Sequence, residues 1–123
     1  MIIIKNLISL PVGSNVFRVT TQEKVIGTPT YYLIKLINKL NKDEVIFVPN
    51  YDGKDMSTNP KRYNDFWFRF VDPSLSSNLT GDLIELEIGQ YNYEIYSEYG
   101  SIPTIEPILI SGNLVESGIA IVK

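Results

Sequence analysis

Two runs of alternating apolar and polar residues follow one another between positions 83 and 98, and they constrain the fold more than any other stretch. A period of two is typical of a β-strand with one buried face and one solvent-exposed face. Gly89 and Gln90 join the two runs, so the pattern predicts two strands with a short connection. The apolar positions are Ile84, Leu86 and Ile88 in the first run and Tyr91, Tyr93 and Ile95 in the second.

Glu85 and Glu87 occupy the polar positions of the first run. Their Cα atoms would lie about 7 Å apart in an extended chain, and such a pair could resemble the two carboxylates of a glycosidase. Alternating acidic residues also keep the outer face of a strand soluble. We interpret both side chains in this second way and predict no catalytic role for them.

The junction of the two runs carries a tyrosine two residues after a glycine, Gly89 and Tyr91. This arrangement resembles the tyrosine corner of sandwich domains, in which the hydroxyl is hydrogen bonded to upstream backbone. We therefore predict that Gly89 and Tyr91 form a structural corner. The Tyr91 hydroxyl is expected to bond to a backbone group a few residues earlier.

Composition narrows the chemistry that is open to this chain. Its 123 residues include no Cys and no His, which removes disulfides, thiolate metal sites and the commonest general base. No phosphate-binding loop or nucleophile motif is present, and residues 52–55 lack the ligand pattern of a calcium loop. We expect no enzymatic activity, no cofactor, no metal and no small-molecule substrate.

Charge and hydropathy indicate a protein partner. The net charge is -3, from 11 basic and 14 acidic residues, and no basic cluster is present that would attract nucleic acid or an anionic membrane. The apolar runs are far shorter than the roughly 20 residues that span a bilayer. The sequence therefore predicts a soluble domain that binds neither nucleic acid nor membrane.

Further strands are predicted along the chain at residues 15–21, 30–40, 44–49, 62–70 and 114–122. The turn residues at 41–43 favour an antiparallel hairpin between the second and third of these. In residues 30–40, a helical period also exists, but the β-branched and aromatic content favours a strand. Tyr32, Ile34 and Leu36 are expected to face inward, and Tyr31 and Lys35 outward. Gly118 in the last strand indicates a bulge or a close backbone approach.

These elements predict an all-β fold, an immunoglobulin-like antiparallel β-sandwich of about seven strands. Residues 14–123 would form the domain, and residues 1–13 an N-terminal strand or arm. Two interpretations of the apolar start remain open. It is either a strand of the chain's own sheet or an arm that adds a strand to a neighbouring subunit.

The two faces of the predicted aromatic strand at residues 62–70 are expected to have different roles. Phe66, Phe68 and Phe70 are expected in the core, whereas Trp67 beside Tyr63 is either a contact on the second face or a partner-binding anchor. A third possibility is a carbohydrate-binding module in which Tyr63, Trp67 and Tyr96 form a stacking platform.

The long connection at residues 99–112 is the loop most suited to contacting a partner, because it carries several apolar residues among prolines and glycines. Together with the apolar start and Trp67 it gives the set of partner-binding candidates. They are Met1, Ile2, Ile3, Ile4, Trp67, Ile105, Ile108, Leu109 and Ile110.

Five segments, YYLI at 31–34, EVIF at 44–47, KRYNDF at 61–66, GQYNYEIY at 89–96 and LVESG at 114–118, carry a resemblance to a known group. From residue 30 onward the chain resembles small structural virion proteins of crAss-like tailed bacteriophages. The resemblance implies an immunoglobulin-like module and an auxiliary capsid (head decoration) protein that binds the major capsid protein shell and neighbouring virion proteins. It also implies synthesis in the host cytoplasm and a final location on the capsid surface. A neck or tail ring component is the alternative within the same group.

Overall fold

The computed structural model describes residues 2–5, 15–19, 31–51, 53–56, 64–98 and 113–123. These ranges contain eight β-strands and one short 3-10 helix at Pro73–Leu75. The strands are β1 (Ile2–Ile4), β2 (Asn15–Val19), β3 (Tyr31–Asn38), β4 (Glu44–Phe47), β5 (Asn64–Phe70), β6 (Asp82–Leu83), β7 (Gly89–Glu98) and β8 (Asn113–Val122).

The strands form two sheets that pack face to face as an all-β sandwich, which confirms the predicted fold class. The large sheet has the order β1-β8-β7-β3-β4, and the small sheet the order β2-β5-β6. Within the large sheet, β8, β7, β3 and β4 pair antiparallel with their neighbours.

The prediction of a purely antiparallel fold is wrong at two edges. β1 runs parallel to β8 at one edge of the large sheet, and β6 runs parallel to β5 at one edge of the small sheet. The reason is the length of the connections. β1 and β8 lie at opposite ends of the chain, and the 3-10 helix lies in a long crossover between β5 and β6, so no tight turn forces either pair to be antiparallel.

The core between the sheets is built around a cluster of aromatic rings. The Phe68 ring centroid lies 5.4 Å from that of Phe17, 5.1 Å from that of Phe47 and 5.8 Å from that of Phe70. Phe66 lies 4.6 Å from Tyr32, ring centroid to ring centroid. The expectation that Phe66, Phe68 and Phe70 form the core is therefore confirmed. Most of these ring contacts are tilted and that between Phe68 and Phe70 is edge-on, and aromatic pairs add stability beyond the buried area.

The predicted hairpin is present, with β3 and β4 antiparallel and Ile37 opposite Glu44. The strand interpretation of residues 30–40 is thus confirmed. The face assignments are confirmed, with Tyr32, Ile34 and Leu36 in the core and Tyr31 on the outer face, but Tyr31 is buried there rather than exposed to solvent. It packs with Leu33 and Val48 in a second apolar cluster on the outer face of the large sheet.

Gly118 marks a close approach. It lies opposite Tyr93 in the β7–β8 ladder, and a Cβ atom added to it would lie 2.7 Å from the Tyr93 hydroxyl oxygen. The β-bulge lies elsewhere in the same ladder, at the register shift between Ile95 and Tyr96. Only glycine leaves room for the Tyr93 ring to cross the neighbouring strand at this point.

The first of the two alternating runs does not form the predicted strand. β6 ends at Leu83, and residues 84–88 have no ladder partner among the described residues. Leu86 is buried, but Ile84 and Ile88 are 52% and 75% exposed instead of belonging to the core. The segment leaves the small sheet and crosses to the large one, and none of the described strands lies beside it to complete a buried face.

Candidate protein-binding surface

The apolar start of the chain forms part of the chain's own sheet. Ile2–Ile4 pairs in parallel with β8, with Ile3 opposite Ile121. Ile2 is half-buried, Ile3 is 45% exposed, and Ile4 is buried in the core and so is not available to a partner. The other apolar partner-binding candidates, Met1, Ile105, Ile108, Leu109 and Ile110, lie outside the described residues.

Trp67 is half-buried on the outer face of the small sheet, where its ring meets that of Tyr51 edge-on at 5.7 Å. Tyr96 lies on the outer face of the large sheet and donates its hydroxyl hydrogen to Glu94 Oε1 at 2.9 Å. The two rings are therefore on opposite sides of the sandwich and cannot share a stacking platform. Tyr63, the third proposed member, lies outside the described residues.

The predicted hydrogen bond of the tyrosine corner is confirmed. The Tyr91 hydroxyl donates to the backbone carbonyl of Glu87 at 2.9 Å, and Tyr91 itself is 3% exposed. Gly89, between the two residues, has a φ of 151°, a value that favours glycine. The corner therefore ties the segment 84–88 to the start of β7.

Three large apolar side chains that the sequence did not single out as a surface are exposed near this corner. Leu40, in the turn after β3, is 93% exposed, and Ile84 and Ile88 are the two residues expected in the core. Leu40 and Ile88 line one shallow cavity of about 330 Å³, and Ile84 lines a second cavity next to it. Asn38 and Glu87 belong to both cavities, so the three side chains share one end of the sandwich.

The second cavity is a groove of about 430 Å³ between the edge strand β4 and residues 83–87, and we call it the edge groove. Its apolar lining consists of Val45, Ile46, Leu83, Ile84 and Leu86, with the Tyr91 side chain beside them. The volume lies within the range of about 300–1,000 Å³ that is usual for ligand pockets.

Asn78 covers one end of the β4 edge. Its backbone carbonyl accepts the Val48 N–H at 2.7 Å, and its side-chain amide donates to the Ile46 carbonyl at 2.9 Å. Both contacts show that Ile46 and Val48 direct their backbone groups away from β3. Because backbone direction alternates along an antiparallel strand, Glu44 directs its N–H and carbonyl the same way.

The rim of the edge groove is acidic. Asp43, Glu44, Glu85 and Glu87 line it, and no Lys or Arg is among the lining residues. Glu44 is engaged from the outer face by Lys35, whose Nζ lies 2.7 Å from Glu44 Oε1, and Glu87 accepts a hydrogen bond from the Asn41 amide at 3.1 Å. The hydrogen bond to Glu44 raises the pKa of Lys35 above its usual 10.5.

The described residues form neither a metal site nor a membrane-spanning helix. Within the described ranges, no group of three or more His, Cys, Asp or Glu side chains is arranged to hold a metal ion. Nor do those residues contain a helix long and apolar enough to cross a membrane. What the edge groove offers chemically is apolar area, open backbone groups and carboxylates.

Comparisons of the chain with protein-family models, with curated proteins and with solved structures gave no match. The resemblance to phage virion proteins therefore stays an expectation, carried by the five sequence segments alone.

Proposed function

We propose that this chain is a structural, non-enzymatic virion protein, an auxiliary capsid protein that binds the shell of major capsid protein. The resemblance of its sequence segments supports the virion setting. The observation that carries the binding role is the exposure of Leu40, Ile84 and Ile88 at one end of a rigid sandwich. Large apolar side chains grouped on the surface of a small domain are typical of protein interfaces.

The free energy gained by burying these three side chains is sufficient for a specific protein contact. Complete burial of one Ile or Leu side chain stabilises by about 1.5–3 kcal/mol, and these three are between half and almost fully exposed. Together they offer several kcal/mol before the cost of association, which is the scale of an interface hot spot. The Tyr91 corner holds two of them in place, so little ordering would be needed on binding.

The proposal is tested by adding purified protein to capsids from a phage mutant that lacks it, followed by sedimentation. Wild-type protein should sediment with the capsids. The double variant Ile84→Asp, Ile88→Asp should lose at least about tenfold in affinity, because two buried contacts would become desolvated carboxylates. Leu75→Asp is the matched control, since Leu75 is 69% exposed and lines neither cavity.

Thermal unfolding of each variant checks that the fold is retained. Equal binding by the double variant and the wild type would refute this surface as the docking site. Failure of the wild-type protein to bind any capsid would refute the capsid role. Copy number per particle then separates the two virion positions: hundreds of copies indicate the head, whereas about a dozen indicate a neck or tail ring.

A further inference from the structure

We infer that the edge groove binds an extended segment of a partner protein as an added β-strand beside β4, with apolar side chains inward and Lys or Arg residues flanking them. The inference rests on the proposed function, because it specifies how the same end of the sandwich takes hold of its partner. Three features of the groove support it independently: its backbone groups, its floor and its charge.

The backbone groups of β4 are available to an incoming strand. Glu44 directs its N–H and carbonyl into the groove, and Ile46 directs its N–H there. Within the described part of the chain these three groups have no hydrogen-bond partner, whereas Asn78 already takes the neighbouring carbonyl of Ile46 and the N–H of Val48. Exposed edge strands pair with extended peptides through such backbone groups. These hydrogen bonds contribute affinity that does not depend on the side chains of the peptide.

The apolar residues that line the groove can receive every second side chain of an added strand. Val45 lines the groove from β4, and the buried side chains of Leu83, Leu86 and Tyr91 line it from the rest of the sandwich. In an added strand every second side chain points the same way, so one set would enter this apolar space. The other set would point to solvent beside Ile46 on the outer face of the large sheet.

The negative charge of the rim favours a partner strand that is flanked by Lys or Arg residues. Asp43, Glu85 and Glu87 line the groove together with Glu44, which is already paired with Lys35, and no Lys or Arg is among the lining residues. A partner with acidic flanks would be repelled, and one with Lys or Arg flanks would be attracted. Because the rim is exposed, this attraction should weaken as the salt concentration rises.

A blocked synthetic peptide of alternating Lys and Val residues is a suitable probe, titrated against the full chain by isothermal calorimetry and by NMR. We expect saturable binding and slowed hydrogen exchange of the Glu44 and Ile46 amides. Two control peptides have the same composition: one with the Lys and Val residues in blocks, and one with methylated backbone amides. Each should bind at least about tenfold more weakly, because the first cannot alternate its side chains and the second cannot donate to the Glu44 carbonyl.

The charge selection is tested with Glu85→Lys, which should weaken binding of the alternating peptide at least about fivefold. Asp72→Lys is the matched control, because it makes the same change in net charge at an exposed residue outside the groove and should leave binding unchanged. Equal weakening by both variants would overturn the assignment of charge selection to the groove.

Binding of the peptide without protection of the β4 amides would overturn strand addition. Absence of binding would do the same. If the Ile84→Asp, Ile88→Asp variant still loses capsid binding in that case, the proposed function stands and only the mode of engagement is refuted. If the peptide binds as expected while no capsid is bound, the edge groove stands and the capsid role is refuted.

Discussion

Removal of the Tyr91 hydroxyl tests whether the corner holds the exposed segment in place. In Tyr91→Phe the ring and its buried contacts stay, and the hydrogen bond of 2.9 Å to the Glu87 carbonyl is lost. A neutral hydrogen bond of this kind contributes about 1 kcal/mol. Because Glu87 is exposed, water can reach the carbonyl that is left, so we expect no further desolvation cost. The free energy of unfolding should therefore fall by about 1 kcal/mol.

For a chain of 123 residues, a loss of this size lowers the melting temperature by about 4 °C. Denaturant unfolding gives the free energy directly, and hydrogen exchange should show faster exchange at residues 84–88 than in the wild type. Tyr51→Phe is the matched control, because Tyr51 is 55% exposed and its hydroxyl makes no hydrogen bond within the described residues. Unchanged stability and unchanged exchange in Tyr91→Phe would refute the structural role of the corner.

Two further predictions concern the large sheet. Gly118→Ala should lower the free energy of unfolding by about 1–3 kcal/mol, because the new Cβ would overlap the Tyr93 ring. Denaturant unfolding measures this loss, and a variant as stable as the wild type would contradict the prediction. Stability should also fall as the pH rises above about 10. Burial raises the pKa of Tyr93 and of Tyr96 above the usual 10.0, and the hydrogen bond to Glu44 raises the pKa of Lys35 above 10.5. The unfolded chain therefore loses these three protons at a lower pH than the folded chain does, which favours unfolding. Urea unfolding at pH 7 and pH 11 checks the sign, and equal stability at both would contradict it.

Most of the sandwich could be predicted because its strands bury one face and expose the other. The alternation in β5 assigns Phe66, Phe68 and Phe70 to the core, and that in β7 assigns Tyr91, Tyr93 and Ile95 to it. A pattern of this kind records burial on one side of an extended chain. It therefore locates the strands without any information on their neighbours.

The alternating pattern led to a wrong prediction at residues 84–88, because it carries no information on neighbouring strands. The alternation shows that this segment is extended, but it does not show whether a strand lies beside it. β6 ends after two residues, and the chain crosses between the sheets, which leaves Ile84 and Ile88 in solvent. Tyr31 is the converse case: its neighbours on the outer face of the large sheet form a second apolar cluster that alternation alone cannot predict.

The edge groove could not be predicted, because its two walls come from distant parts of the sequence. β4 supplies one wall and residues 83–87 the other, and only the packing of the two sheets brings them together. The parallel pairing of β1 with β8 and of β5 with β6 was missed on similar grounds. Long connections leave the direction of a strand open, and no turn signal in the sequence decides it.

We propose that this protein is a structural subunit bound to the capsid through the end of the sandwich that carries Leu40, Ile84 and Ile88. The most direct test is a cryo-electron microscopy map of the intact particle at a resolution that orients the sandwich. We expect density for the protein on the outer capsid surface, with the edge groove and these three side chains against the major capsid protein. Density at the neck or tail, or a capsid-bound sandwich with this end facing solvent, would contradict it.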